Sequence, residues 1–229
     1  MERRAFIAGA AALAAAGWGP PAVAKSDAKA RVAIAGAGAA GLSIAARLAR
    51  QMPNATITIF DARRDHYFQP GWTLVGAGWW KPSQTVESTR SYIPSGVNWV
   101  EQNIIEFNPE RNELTDASGQ KHGYDWLFVA TGLSLDYDQI EGMSQDLIGL
   151  KGIASIYAGP EAAAASAKVI DQYIQTGGVS LFGRPATDMK CAGAPLKMTF
   201  ITEDKAVRAG RRDACQIRYA AHNNGLFAV

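Results

Sequence analysis

The stretch Arg31-Val32-Ala33-Ile34-Ala35-Gly36-Ala37-Gly38-Ala39-Ala40-Gly41 decides the fold of this chain. Its first five residues are mostly apolar and predict a short buried strand, and the glycine run then opens a helix over residues 42–51. Pro53-Asn54 ends that helix, and residues 55–60 form a β-branched second strand that stops at Asp61. This order predicts one complete βαβ unit.

The glycine motif in this context predicts a dinucleotide site. Gly36 allows the tight turn, Gly38 lets the backbone approach a pyrophosphate, and Gly41 permits close packing of helix on strand. Phosphate oxygens would meet the free N–H groups at the positive end of the helix. Asp61, about 20 positions after the last glycine, would accept hydrogen bonds from ribose hydroxyls. A carboxylate favours NAD or FAD over NADP, although Arg63-Arg64 follow closely; the alternative is a tight turn that binds nothing.

The middle of the chain changes pattern. From residue 97 to 129, short strands alternate with polar turns at Asn108-Pro109 and Ser118-Gly119, which predicts an antiparallel meander. Its last strand runs into Ala130-Thr131-Gly132. Together with the βαβ unit, this segment predicts an α/β, Rossmann-like dinucleotide-binding domain over residues 31–150.

A second, partial domain is predicted over residues 151–229. The Ala-rich residues 161–175 predict a helix, and residues 179–182 predict a strand after it. A further helix over 197–209 and a strand over 215–219 follow. Because two parallel strands are too few for a sheet covered on both faces, the chain is expected to be a truncated piece of a longer protein.

Composition excludes several classes of protein. With 229 residues, of which 48% are hydrophobic and 19% charged, the chain can bury a sizeable core. The 23 basic and 21 acidic residues nearly cancel, which argues against a nucleic-acid binder. Two cysteines, Cys191 and Cys215, and three dispersed histidines lack the spacing of a zinc site, so no metal is predicted.

Residues 1–24 have the three parts of an export signal. Arg3-Arg4 precede Ala5-Phe6-Ile7, and Ala22-Val23-Ala24 offers a cleavage site. The apolar run is shorter than the about 20 residues that a membrane span needs. Paired arginines resemble a twin-arginine signal and predict a periplasmic protein that can associate with the membrane. An ordinary secretory signal is the alternative.

Four further stretches carry a family resemblance. A strand that ends in Ala130-Thr131-Gly132 after a meander resembles the second flavin-contacting element of flavoproteins with two dinucleotide-binding domains, which favours FAD. The stretches His66-Tyr67-Phe68-Gln69-Pro70-Gly71-Trp72-Thr73-Leu74-Val75-Gly76-Ala77-Gly78 and Lys190-Cys191-Ala192-Gly193-Ala194-Pro195-Leu196-Lys197-Met198 resemble sulfide:quinone oxidoreductases. The resemblance covers nearly all of the chain after the signal and also includes Ile93-Pro94-Ser95-Gly96-Val97.

The resemblance implies an FAD-dependent oxidoreductase that oxidises sulfide or a related sulfur species and passes electrons to quinone. It implies that Cys191 belongs to a redox pair beside the flavin, whereas Cys215 is interpreted as a core residue. The partner cysteine, the quinone pocket and a membrane-docking segment would lie downstream of this chain. The predicted FAD-binding residues are Gly36, Gly38, Ala40, Gly41, Asp61, Ala62, Gln69, Ala130, Thr131 and Gly132.

Three alternatives stay open. The related flavocytochrome c sulfide dehydrogenases pass electrons to cytochrome c, but their flavin is held by a cysteine in the segment that here is residues 66–72; no cysteine occurs there, which implies noncovalent FAD. A type II NADH dehydrogenase would need a second glycine fingerprint, and Gly183-Arg184-Pro185-Ala186-Thr187-Asp188 fits it poorly. A flavin-binding module without electron transfer is the third alternative.

Overall fold

The computed structural model describes residues 25–185, 187, 191 and 193–222. Contacts divide the chain into two compact units, the first built from residues 25–64 and 89–132 and the second from residues 65–88 and 133–222. The helices are α1 (Ala39–Gln51), α2 (Trp72–Gly76), α3 (Pro160–Thr176) and α4 (Ala194–Arg208). The strands are β1 (Arg31–Ala35), β2 (Thr56–Phe60), β3 (Asp65–Tyr67), β4 (Val86–Ser88), β5 (Val97–Val100), β6 (Ile104–Asn108), β7 (Glu113–Asp116), β8 (Lys121–Gly123), β9 (Trp126–Val129), β10 (Gly178–Gly183) and β11 (Cys215–Ala220).

The first unit contains a parallel sheet in the order β5-β2-β1-β9. β1 lies at its centre because nearly every residue of this strand is apolar and buried, as expected for a strand covered on both faces. Ile34, Ile57 and Ile59 form a core with Leu42 and Ala45 of α1. The predicted βαβ unit is therefore confirmed, with α1 beginning at Ala39, three residues before the predicted start.

The predicted meander is shorter than expected. Within residues 97–129, β6, β7 and β8 are the strands that pair antiparallel, with turns in which Asn112 has φ 50° and Gly119 has φ 85°. β5 and β9, which the sequence assigns to the meander, instead pair parallel with β2 and β1. Local periodicity indicates that a segment is a strand but not which strand it pairs with, so this part of the prediction was wrong.

The second unit contains the parallel pair β10-β11, which was predicted, and the antiparallel pair β3-β4, which was not. Its main core joins α3, α4 and β11 through Ile170, Ile174, Met198, Ala206 and Cys215. α4 begins three residues before its predicted start. Its first turn contains a proline, which has no backbone N–H to leave without an acceptor and whose fixed φ suits a helix start.

Two predictions are not tested by this architecture. The domain boundary at residue 150 stays a prediction, since the compact units assign residues 65–88 and 133–150 to the same unit as the later chain. The predicted export signal, residues 1–24, lies outside the described residues. Within the described ranges, no helix has the length and apolar character of a membrane span.

Candidate cofactor-binding site

The turn from β1 to α1 has no room for side chains at two of its glycines. Gly36 has φ 100°, in the left-handed region, and a Cβ there would lie 2.4 Å from the carbonyl oxygen of Ala130. A Cβ on Gly41 would lie 1.9 Å from the carbonyl oxygen of Gly36. The turn, the helix and the end of β9 therefore approach one another at backbone distance.

Gly38, unlike Gly36 and Gly41, has room for a side chain. A Cβ there would meet only Arg63, whose Nη2 lies 3.9 Å away. The first hydrogen bond into α1 runs from the Leu42 N–H to the Gly38 carbonyl, at 3.0 Å. The amides of the first turn have no acceptor within a helix, so the space beside Gly38 combines room for a ligand with donors that suit phosphate oxygens.

Asp61 lies directly after β2 and is largely buried, with 13% of its side chain exposed. Its Oδ2 accepts a 2.8 Å hydrogen bond from the Ala37 N–H, and its Oδ1 accepts one of 2.8 Å from the Arg63 N–H. The Arg63 Nη2 lies 3.5 Å from Oδ2. Since an ionised carboxylate has about four lone-pair sites, Asp61 keeps acceptor capacity for ribose hydroxyls after both backbone bonds are made.

The other predicted residues of the first unit lie around this turn. The Ala130 N–H donates to the Ala35 carbonyl at 2.8 Å, and the Thr131 Cα lies 3.2 Å from the position of a Gly36 Cβ. Gly132 has φ 79°, and Ala40 is exposed in the first turn of α1. The Ala62 N–H donates to Asn103 Oδ1 at 3.3 Å. The structure thus brings the glycine turn together with Ala130-Thr131-Gly132, as the dinucleotide-site prediction requires.

Trp99, in β5, supports Asp61 and contacts charged side chains; neither Trp99 nor Arg90 nor Glu101 was among the residues predicted from the sequence. The Trp99 Nε1–H donates to the Asp61 carbonyl at 2.9 Å, and the Arg90 guanidinium carbon lies 4.6 Å above the indole ring. Glu101 accepts from Arg90 Nη2 at 2.5 Å and from Arg64 Nε at 2.8 Å. The hydrogen bond from Arg90, followed by that from Arg64, lowers the pKa of Glu101.

These features fit the adenosine diphosphate half of FAD. The glycine turn offers a backbone cradle beside Gly38, and the acidic side chain stands at the end of the adjacent strand. The residues that would hold the cofactor are those of the glycine turn, Asp61, Ala62 and Ala130-Thr131-Gly132. Among the described residues, no group of three or more His, Cys, Asp and Glu side chains is placed to hold a metal ion.

Gln69 belongs to the second unit, in a short 3-10 turn over Gln69–Gly71. A Cβ on Gly71 would lie 2.8 Å from Thr85 and 2.9 Å from Phe68, so this turn is tightly packed. Trp72 follows and is 4% exposed. Its Nε1–H has no hydrogen-bond partner in the part of the chain that the structure describes. This buried donor lies in the segment that the family resemblance places beside the flavin.

Cys191 and Cys215 have different surroundings in the second unit. Cys191 is a free, partly buried thiol in the turn before α4, and its carbonyl accepts a 2.9 Å hydrogen bond from the Ala194 N–H. Its neighbours Lys190 and Ala192 lie outside the described residues. Cys215 is 2% exposed and opens β11 inside the core, in agreement with its interpretation as a core residue.

Comparison with known proteins gives a consistent family. A family model described as pyridine nucleotide-disulphide oxidoreductase matches residues 30–170. The mitochondrial sulfide:quinone oxidoreductase of Dictyostelium discoideum is 32% identical over 203 residues, which cover 87% of this chain and 44% of that protein. The mitochondrial sulfide:quinone oxidoreductase of Mus musculus is 34% identical over 198 residues, which cover 86% of this chain and 43% of that protein.

A solved structure agrees with the fold. The sulfide:quinone oxidoreductase of Aquifex aeolicus matches with a TM-score of 0.67 and 22% identity, over 85% of this chain and 43% of that one. The chain therefore spans less than half the length of these relatives. The predicted α/β fold and the predicted resemblance are confirmed, and the chain belongs to the pyridine nucleotide-disulphide oxidoreductase family.

Proposed function

We propose that this chain is the FAD-binding part of an oxidoreductase that oxidises sulfide or a related sulfur species and passes electrons through FAD to a quinone. The observation that carries the cofactor is the pairing of the open Gly38 turn with the Asp61 carboxylate at the end of the next strand. The substrate and the acceptor follow from the names of the relatives, which are sulfide:quinone oxidoreductases.

In this proposal the first unit binds and orients the cofactor. The first-turn amides of α1 hold the pyrophosphate, and Asp61 accepts hydrogen bonds from the ribose of the adenosine half. The residues around Gly36 and Ala130 exclude side chains and so allow close backbone contact. When bound, FAD supplies a ring that accepts two electrons from a sulfur donor.

Cys191 is proposed as one member of the sulfur-handling pair. Attack of sulfide on a disulfide forms one S–S bond and breaks another, which leaves a persulfide on one cysteine and a thiolate on the other. The two electrons that sulfide contributes stay on the sulfur atoms until they pass to the bound cofactor. The buried position of Cys215 in the core favours Cys191 for this role.

The step needs both cysteines of the pair, so the test is an anaerobic sulfide titration of FAD-loaded protein that carries both, with Cys191→Ala as the variant and Cys215→Ala as its matched control. We expect the visible flavin bands of the wild type and of the control to bleach near one sulfide per flavin. Cys191→Ala should keep its bound flavin and bleach no faster than free FAD. Equal bleaching in Cys191→Ala, or bound flavin that ignores sulfide in the wild type, would contradict the proposal.

The acceptor and the attachment of the flavin are part of the same proposal. A quinone acceptor entails a peripheral contact with the membrane in which quinones dissolve, whereas cytochrome c is the alternative acceptor. Reoxidation of the sulfide-reduced protein by a short-chain quinone, but not by cytochrome c, is expected.

FAD should be noncovalent because residues 66–72 contain no cysteine, and acid precipitation should release it into the supernatant.

Export through a twin-arginine pathway is proposed from Arg3-Arg4 and the cleavage site Ala22-Val23-Ala24. This pathway moves folded proteins, which suits a chain that loads its cofactor before export. A reporter fused after residue 30 should reach the periplasm, and replacement of both arginines by lysine should retain it in the cytoplasm. Export that survives this replacement would indicate an ordinary secretory signal.

A further inference from the structure

We propose that Trp99 is a positioning residue that fixes Asp61 for the adenosine half of FAD. The inference rests on the proposed FAD binding and assigns a role to a side chain two strands away from the glycine motif. Trp99 acts through Asp61.

Trp99 and its neighbour hold the Asp61 backbone from both sides. β5 pairs parallel with β2, in a register that places Trp99 opposite Ile59. The Asp61 N–H donates to the Val100 carbonyl at 3.2 Å, and the Asp61 carbonyl accepts the indole N–H of Trp99 at 2.9 Å. Asp61 follows the last residue of β2. These two hydrogen bonds therefore fix the backbone at the residue that carries the carboxylate, beyond the end of the strand.

A fixed backbone gives the carboxylate a defined direction before any ligand arrives. Both of its oxygens accept backbone N–H groups at 2.8 Å, one from Ala37 in the glycine turn and one from Arg63. A preorganised acceptor loses less conformational entropy when it binds a ribose. Loosening the Asp61 peptide is therefore expected to weaken the adenosine contact without removing any atom that touches the cofactor.

Charged side chains hold the indole in this position. Arg90 stacks on the ring at 4.6 Å, and Glu101 binds both Arg90 and Arg64. Arg90 and Arg64 have exposed side chains, so salt screens their ion pairs. The indole hydrogen bond is uncharged and part-buried, and it should persist at high salt. Its loss can thus be separated from loss of the ion pairs by ionic strength.

The test compares Trp99→Phe, which keeps an aromatic ring and removes the N–H, with Trp126→Phe as a matched control. Trp126 lies in β9 of the same sheet and is 64% exposed. Affinities are measured by titration with FAD and, separately, with ADP, which carries the adenosine half alone. Loss of the preorganisation that this hydrogen bond supplies predicts that the Kd values for FAD and ADP both rise by about two- to tenfold in Trp99→Phe, by the same factor.

The apo melting temperature of Trp99→Phe should fall by about a few degrees, because the hydrogen bond is present without ligand, and the increase in Kd should persist at high salt. Unchanged Kd values, or an equal change in the control, would overturn the positioning role. If Trp99→Phe fails to fold, Glu101→Gln serves instead: its Kd for ADP should rise by about twofold at low salt and match the wild type at high salt, and no rise at low salt would overturn the proposal. A wild-type chain that binds neither FAD nor ADP would instead contradict the proposed function.

Discussion

Asp61 and Ala37 are joined by a 2.8 Å hydrogen bond between the carboxylate Oδ2 and the backbone N–H, which ties the end of β2 to the glycine turn after β1. One side chain therefore has two tasks. It holds the turn in shape, and in the proposed complex it would offer its remaining lone pairs to a ribose. The same carboxylate accepts the Arg63 N–H through Oδ1, so its orientation is set from both sides.

Asp61→Asn should weaken FAD binding by about ten- to a hundredfold, because hydrogen bonds to a charged acceptor are worth about 1.5–3 kcal/mol and the amide keeps only one acceptor oxygen. FAD titration followed by flavin fluorescence measures the change. Asp65→Asn, at the start of β3, is the matched control. Affinity within twofold of the wild type would show that Asp61 does not contact the cofactor.

Gly38→Ala should separate binding from folding. The residue has φ −75° and ψ −174°, which alanine adopts without strain, and its Cβ would meet only Arg63 at 3.9 Å. The apo protein should therefore unfold near the wild-type denaturant concentration, while the methyl group blocks the approach of the pyrophosphate and raises the Kd for FAD about tenfold or more. Gly183→Ala, whose Cβ meets nothing within 4 Å, is the control. Unimpaired FAD binding by Gly38→Ala would place the phosphates elsewhere.

Gly41→Ala should have the opposite profile. Alanine favours a helix over glycine by about 1 kcal/mol, but its Cβ would lie 1.9 Å from the Gly36 carbonyl oxygen, and backbone must move to accommodate it. We expect a net loss of about 1–3 kcal/mol in the free energy of unfolding, measured by urea denaturation without ligand. A variant as stable as the wild type would mean that the helix and the turn separate easily.

Asp116 predicts a pH dependence of stability. This buried carboxylate accepts hydrogen bonds from the Ser118 hydroxyl at 2.5 Å and from the Gln120 N–H at 3.1 Å, and it pairs with His122 Nε2 at 2.8 Å. The Ser118 hydroxyl, followed by His122, lowers the pKa of Asp116 from 3.8 to about 2.

Because the folded pKa lies below the unfolded one, this stabilisation is complete above about pH 4 and is lost as the pH falls towards 2. Asp116→Asn should be less stable than the wild type at neutral pH, and the difference should shrink across that window. Urea unfolding at a series of pH values measures it. A difference that stays constant from pH 5 to pH 2 would contradict the assigned pKa.

The sequence predicts the geometry of the glycine turn well because its determinants are local. Gly36, Gly38 and Gly41 follow a buried strand at fixed spacing, and Asp61 ends the next strand. The role of Trp99 has no such signal, since it depends on the register between β5 and β2, which are distant in sequence.

Pairing between distant segments also explains the other differences. β9 has the same short apolar pattern whether it pairs parallel or antiparallel, so its place beside β1 follows only from the tertiary structure. The β3-β4 pair was missed because each strand has three residues, too few to show an alternating pattern.

The most direct test of the account is a titration of the purified wild-type chain with FAD, monitored by the visible spectrum and followed by competition with ADP. We predict one bound FAD per chain, with an absorption band shifted from that of free FAD, and its displacement by ADP through the site at Gly38 and Asp61. A chain that binds no FAD, or that holds FAD which ADP does not displace, would contradict the assignment of this turn as the cofactor site.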